Sequence, residues 1–204
     1  MSDWPQKGDS IRAVGKDERF HSKLDLGRWG FYPVAYLHAA EWLIGGIDSG
    51  ASVDLIVYPA LYLYRHYLEL MLKHLISMGH ALDSDRRASP EGHKLRDLWD
   101  EARPLIAKHA FRPGETQDEI EIVGGVIAEF VALDPFGESF RYSNRKNGDE
   151  TLRGDDNICL DEVVRVMKRV DNFFVGVESV MDELRQHQND LEREYQADAE
   201  AESF

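Results

Sequence analysis

The chain has 204 residues, 43% of them hydrophobic and 30% charged, which suits one ordinary-sized core and does not suit a disordered chain. Its 38 acidic and 24 basic side chains leave a formal net charge of −14, a field that opposes coating of nucleic acid or anionic membrane by the whole surface. The single cysteine, Cys159, excludes an intrachain disulfide framework and a cysteine-rich zinc site, and no uncharged apolar run reaches the roughly 18 residues of a membrane span, so a soluble, cytoplasmic, membrane-free protein is expected.

Residues 1–32 follow neither a helical nor a strand period. Gly8, Gly15, Gly27 and Gly30 interrupt each candidate element, and the segment lacks the apolar core of a signal peptide. Trp4, Phe20, Trp29 and Phe31 nevertheless predict an irregular N-terminal arm anchored on the body by its aromatics. From Pro33 the pattern turns helical, with Leu37, Ala40, Ile44 and Ile47 at steps of three and four, closed by Asp48-Ser49-Gly50. A second helix over about 54–79 carries Leu61, Tyr64, Leu68, Leu72 and Leu75 on one stripe and Leu63, Tyr67 and Leu70 opposite. A helix apolar nearly all round is a central one.

Residues 81–92 read as a loop. The third helix starts near His93, with Leu95, Leu98, Trp99, Ala102 and Ile106 on its buried stripe, and Pro104 is expected to kink or end it near Arg103. A fourth helix, about 115–133, has Ile120, Val123, Ile127 and Phe130 at helical spacing. Gly124-Gly125 in its middle predicts close approach of a neighbouring helix, since each Gly costs about 1 kcal/mol against Ala. Residues 134–160 form a connection long enough to suggest function, and Phe136, Phe140, Tyr142 and Ile158 predict that it packs. In the last helix Val163, Val166, Val170, Phe173, Val177, Val180 and Leu184 make a bundle-facing stripe widened by Met167, Phe174 and Met181. Beyond Gln188 acids dominate, and a fraying, disordered acidic tail is expected over 188–204. The fold class is therefore all-α: an up-and-down bundle of about five helices over 33–187, with the irregular arm and one long loop before the last helix.

Chemistry-bearing residues concentrate on the second helix. Tyr62, Arg65, His66, Glu69 and Lys73 fall in one sector about 100° wide, which is either the helix's solvated face or a polar seam whose charges must pair. No metal site is expected: His66, His74 and His80 lack the spacing that puts two imidazoles on one ion, and the two helical Glu-x-x-His elements of a di-iron bundle are missing. The Gly137-Glu138-Ser139 stretch lacks the second glycine of a nucleophile elbow, and the glycines before Lys16 have the wrong spacing for a phosphate loop, so no cofactor is expected. Arg141, Arg145, Lys146, Arg153, Arg165, Lys168 and Arg169 are the one basic cluster, either partners for the acidic fourth helix or a local phosphate-binding patch.

Three segments, YLYRHYLELMLKHLI (62–76), GHKLRDLW (92–99) and LDPFGESFRYS (133–143), resemble in order and spacing the HEPN superfamily of small helical bundles. The resemblance covers roughly residues 33–187. It implies a bundle of four or five helices, commonly a homodimer, in a superfamily holding RNA-cleaving toxins and phage-defence nucleases beside non-catalytic nucleotide-binding and partner-binding modules. Its catalytic members carry Arg, four to six residues, then His near the start of a late helix. Here Arg141 has the matching surroundings, but residues 142–149 contain no His; Arg103-x5-His109 and Arg87-x5-His93 fit the spacing elsewhere in the chain. Metal-independent RNA cleavage needs a base for the 2′-hydroxyl and a cation for the phosphate, both held rigidly. The expectation is a binding protein that engages a partner protein, a nucleotide or RNA phosphate through Arg65, His66, Glu69, Lys73, His93, Arg141 and Tyr142. The alternative is a HEPN-type ribonuclease using Arg103 and His109, or Arg141 with a His that is adjacent in space. Arg141 is expected to pair with Glu69, and Tyr142 to lie near His66 or His93.

Overall fold

A computed structural model describes residues 31–85, 91–111, 118–141 and 157–202. Among these the chain forms five α-helices, α1 (Phe31–Gly45), α2 (Val53–Leu82), α3 (Leu95–His109), α4 (Asp118–Leu133) and α5 (Leu160–Glu202), with a short 3-10 turn at Gly46–Ser49 and no strand. The all-α reading and the five-helix count hold. Residues 1–30 and the loop around Tyr142 lie outside the described residues, as does Arg87, while Phe31 and Tyr32, expected in the arm, begin α1.

α2 is the axis, packing against α1, α3 and α5, while α4 packs on α3. Tyr64, Tyr67, Leu68, Leu72, Leu75 and Ile76 are wholly buried, which is why a helix apolar on both sides occupies the centre. α3 does not end at Pro104. The ring removes one backbone bond, a cost of about 3 kcal/mol, but Ala102, Leu105 and Ile106 beside it are buried. Burial of a large aliphatic side chain contributes about 1.5–3 kcal/mol, so the two large ones outweigh the proline. In α4 the close approach is real at Gly124, where a Cβ would stand 3.0 Å from the Trp99 indole nitrogen; Gly125 faces open space.

α5 departs from expectation twice. Its buried line is Met167, Val170, Phe174, Val177 and Met181, whereas Phe173 is half-buried and Val180 and Leu184 are exposed, so the true seam is rotated toward the methionines. The helix also continues to Glu202 instead of dissolving after Gln188. No Gly or Pro follows Gly176. Arg185 reaches Asp182 at 2.6 Å and Arg193 reaches Asp190 at 3.3 Å along the surface. Once the bundle has nucleated the helix, such residues propagate it at little cost.

Candidate functional site

The polar sector of α2 is a seam. Arg65 and Glu69 are each 3% exposed, and they are the charged pair around which three connections converge. The solvated-face reading fails for them because the 92–94 and 134–141 segments cover that side of α2.

Arg65 holds the two coverings together. One NH2 group donates to the His93 carbonyl at 2.8 Å, Nη1 lies 3.4 Å from Glu69, and Nε stands 3.2 Å from Asp134 Oδ2. Asp134, itself buried at the end of α4, uses Oδ1 to accept the amides of Glu138 and Ser139 at 2.8 and 2.9 Å. That carboxylate winds the Asp134–Arg141 segment into a turn whose Gly137 rests against the Arg65 guanidinium. Arg141 then folds back on the same glycine, donating from Nε and Nη2 to the Gly137 carbonyl at 2.9 and 2.6 Å. Its Cζ lies 5.5 Å from the centroid of the Tyr62 ring, in cation–π range.

Arg141 therefore does reach the α2 sector, but through Tyr62; the cations on Glu69 are Arg65 and Lys73 from its own helix. An arginine already placed at i−4 spans the gap at the least entropic cost, and the loop's arginine is spent on its own turn.

Glu69 is the second centre. Lys73 donates to Oε1 at 2.8 Å, and the His93 Nδ1 lies 2.6 Å from the same oxygen. Burial alone would raise this carboxyl, but the hydrogen bonds from Lys73 and His93 outweigh it and hold it below the ordinary carboxylate range. Because a carboxylate only accepts, Nδ1 of His93 carries a proton, and the opposite ring nitrogen points its chemistry outward from a side chain that is 76% exposed.

His66 completes the group. Its ring meets Tyr36 of α1 edge-on at 4.3 Å and lies parallel to Tyr62 with centroids 6.1 Å apart. Partial burial lowers its pKa, and the nearby Lys73, Arg65 and His93 act the same way against Glu69. His66 is thus kept neutral to lower pH than a free imidazole. The result is a cluster in which His93 and Arg141 are exposed and His66 and Lys73 half-buried, beside two tyrosine rings and built on two buried carboxylates.

Of the sequence-predicted residues, Arg65, His66, Glu69, Lys73, His93 and Arg141 come together, and Tyr142 lies outside the described residues. Arg103 and His109 do not join them. Arg103 is ion-paired with Glu121 of α4, and His109 stands 2.9 Å from Asp83 at the end of α2, where Lys108 also binds. Both are fasteners between helices. From the basic cluster, Arg165 pairs with Glu162 within its own helix, Glu121 of the acidic fourth helix is paired with Arg103, and Arg145, Lys146 and Arg153 lie outside the described residues.

Sequence reasoning missed Asp134, Gly137 and Tyr36. Asp134-Pro-Phe-Gly137 carries a turn signature that signals the carboxylate's capping role, but nothing in the spacing ties that turn to Arg65. Among the described residues no group of His, Cys, Asp and Glu is arranged to hold a metal ion. No family model, no curated protein and no solved structure matches this chain, so the side-chain geometry carries the functional reading.

Proposed function

We propose that this protein binds a phosphate-bearing ligand, a nucleotide or single-stranded RNA, on the face formed by Tyr36, Tyr62, His66, Lys73, His93 and Arg141. The observation that carries the reading is the His93–Glu69–Lys73 group: an exposed imidazole and an ammonium are both fixed on one buried carboxylate. Donors held in this way lose little freedom on meeting a phosphate, and the adjoining tyrosine rings offer stacking surface to a base. The net charge of −14 does not forbid it, because the distant field is screened beyond about 8 Å at physiological salt. Such a role agrees with the binding members of the HEPN superfamily that the three segments resemble. Fluorescence anisotropy with a labelled single-stranded RNA tests it: Lys73→Ala and His93→Ala should each weaken binding, and Lys73→Ala should also lower its salt dependence. Equal binding by both variants ends the proposal.

A second reading rests on the same dyad. With His93 neutral, the nitrogen turned away from Glu69 accepts a proton, so a 2′-hydroxyl placed there would meet a general base beside Lys73 as the phosphate's cation. This is the metal-independent ribonuclease, with His93 and His66 in place of Arg103 and His109. Cleavage of RNA in chelator that disappears with His93→Ala and survives His109→Ala supports it.

The homodimer that the resemblance implies has a surface that suits it. Trp42 is 80% exposed and Leu55 76%, with Val34, Leu43 and Tyr58 also open on α1 and the start of α2. Trp42→Asp should convert a dimer to a monomer in sedimentation velocity.

A further inference from the structure

The core-facing stripe of α5 does not stop where the bundle stops. Gln188 donates to the carbonyl of Leu82, the last residue of α2, at 3.3 Å, which marks the end of the body. Beyond it α5 runs on to Glu202, and every residue from 189 to 199 is exposed. Leu184, Gln188, Leu191 and Tyr195 continue the steps of three and four that begin at Met167, Val170, Phe174, Val177 and Met181. Tyr195 lies about five turns of 3.6 residues beyond Val177, hence on the same side of the helix. Up to Met181 this line is covered by α2; Leu184, just before the end of the body, and Leu191 on the overhang are each 39% exposed, and Tyr195 is 74% exposed.

We propose that the overhanging end of α5 docks a basic amphipathic helix of a partner protein. The 3-4 spacing of the stripe is that of a helix seam, so its natural complement is another helix laying leucine-type side chains between Leu184, Leu191 and Tyr195. Charge decides which helix. Glu192 and Glu194 stand on either side of the stripe and Asp198 at its next step, while the one cation of the segment, Arg193, lies on the opposite face and is engaged by Asp190. None of those three acids makes an ion pair among the described residues. A second copy would bring the same acids against themselves and is repelled. A helix bearing Lys or Arg beside its apolar line meets an opposite charge at each flank.

The test uses the full chain and a synthetic three-heptad peptide with Leu at the a and d positions and Lys at e and g, followed by fluorescence anisotropy. Saturable binding is expected at about 0.1 M salt, weakening as salt rises. It should fall at least about tenfold in the Leu191→Asp/Tyr195→Asp variant, a change of about 1.4 kcal/mol. These side chains lie outside the core, and circular dichroism checks that the variant stays folded. The Glu192→Lys/Glu194→Lys/Asp198→Lys variant should transfer the preference to a peptide with Glu at e and g. Absence of binding, or undiminished binding by the Leu191→Asp/Tyr195→Asp variant, overturns the proposal. So does self-association of the chain that those two substitutions abolish, because a second copy would then occupy the stripe.

Discussion

Gly137 lies flat on the guanidinium of Arg65. A Cβ at that position would be 3.0 Å from the Cζ and both terminal nitrogens, and the backbone there has φ +77°. Glycine is required twice over, by the left-handed conformation and by the contact. Gly137→Ala should therefore destabilise the protein by more than the roughly 1–2 kcal/mol of the conformational term alone. Urea denaturation of the variant reads this directly, and a loss under about 0.5 kcal/mol would mean that the turn relaxes freely.

The two arginines that meet at Gly137 should behave differently. Removing Arg65 takes from buried Asp134 the cation on its Oδ2 and from Glu69 one of its two, a loss of about 3–5 kcal/mol. Arg141 is exposed, and Arg141→Ala should cost under about 1 kcal/mol. The same substitution should weaken binding of a phosphate ligand, so stability and binding separate between the two positions. A double-mutant cycle between Arg65 and Asp134 is expected to show coupling above about 0.5 kcal/mol.

Stability should fall as pH falls, in two stages with different owners. The His66 imidazole has a folded pKa below its ordinary value, so the folded state binds fewer protons than the unfolded one, and stability is lost as pH drops through 6.5 and below. The Glu69 carboxyl is also depressed, so its contribution is present above the ordinary carboxylate range and disappears as pH falls through the folded value. His66→Phe should flatten the upper part of a melting-temperature profile and Glu69→Gln the lower part. A profile unchanged in both variants would contradict the assignment.

The rotated seam of α5 gives a paired test. Phe174 is wholly buried and Phe174→Ala should cost about 3–5 kcal/mol. Val180, 38% exposed, should tolerate alanine within about 0.5 kcal/mol. Deleting residues 189–204 should move the melting temperature by no more than about 2 °C, since nothing after Gln188 is buried among the described residues.

The sequence by itself determined the helices and which of them is central. Apolar spacing around α2 leaves no face for solvent except the Tyr62–Lys73 sector, and a helix of that kind can only be enclosed. It also marked Arg65, His66, Glu69, Lys73, His93 and Arg141, because a narrow polar strip on an apolar helix and two turn-rich segments stand out in one chain. What only the tertiary structure decided is who pairs with whom. Periodicity reports the direction of a side chain from its own helix axis and carries no information on distance between segments. Glu69 is therefore satisfied by Arg65, Lys73 and His93, while the expected Arg141 turns to Gly137 and Tyr62. The seam of α5 departs from its apolar spacing for the same reason. Valine and methionine at neighbouring positions are equally apolar, and the rotation toward Met167, Phe174 and Met181 is set by the surface of α2 that receives them.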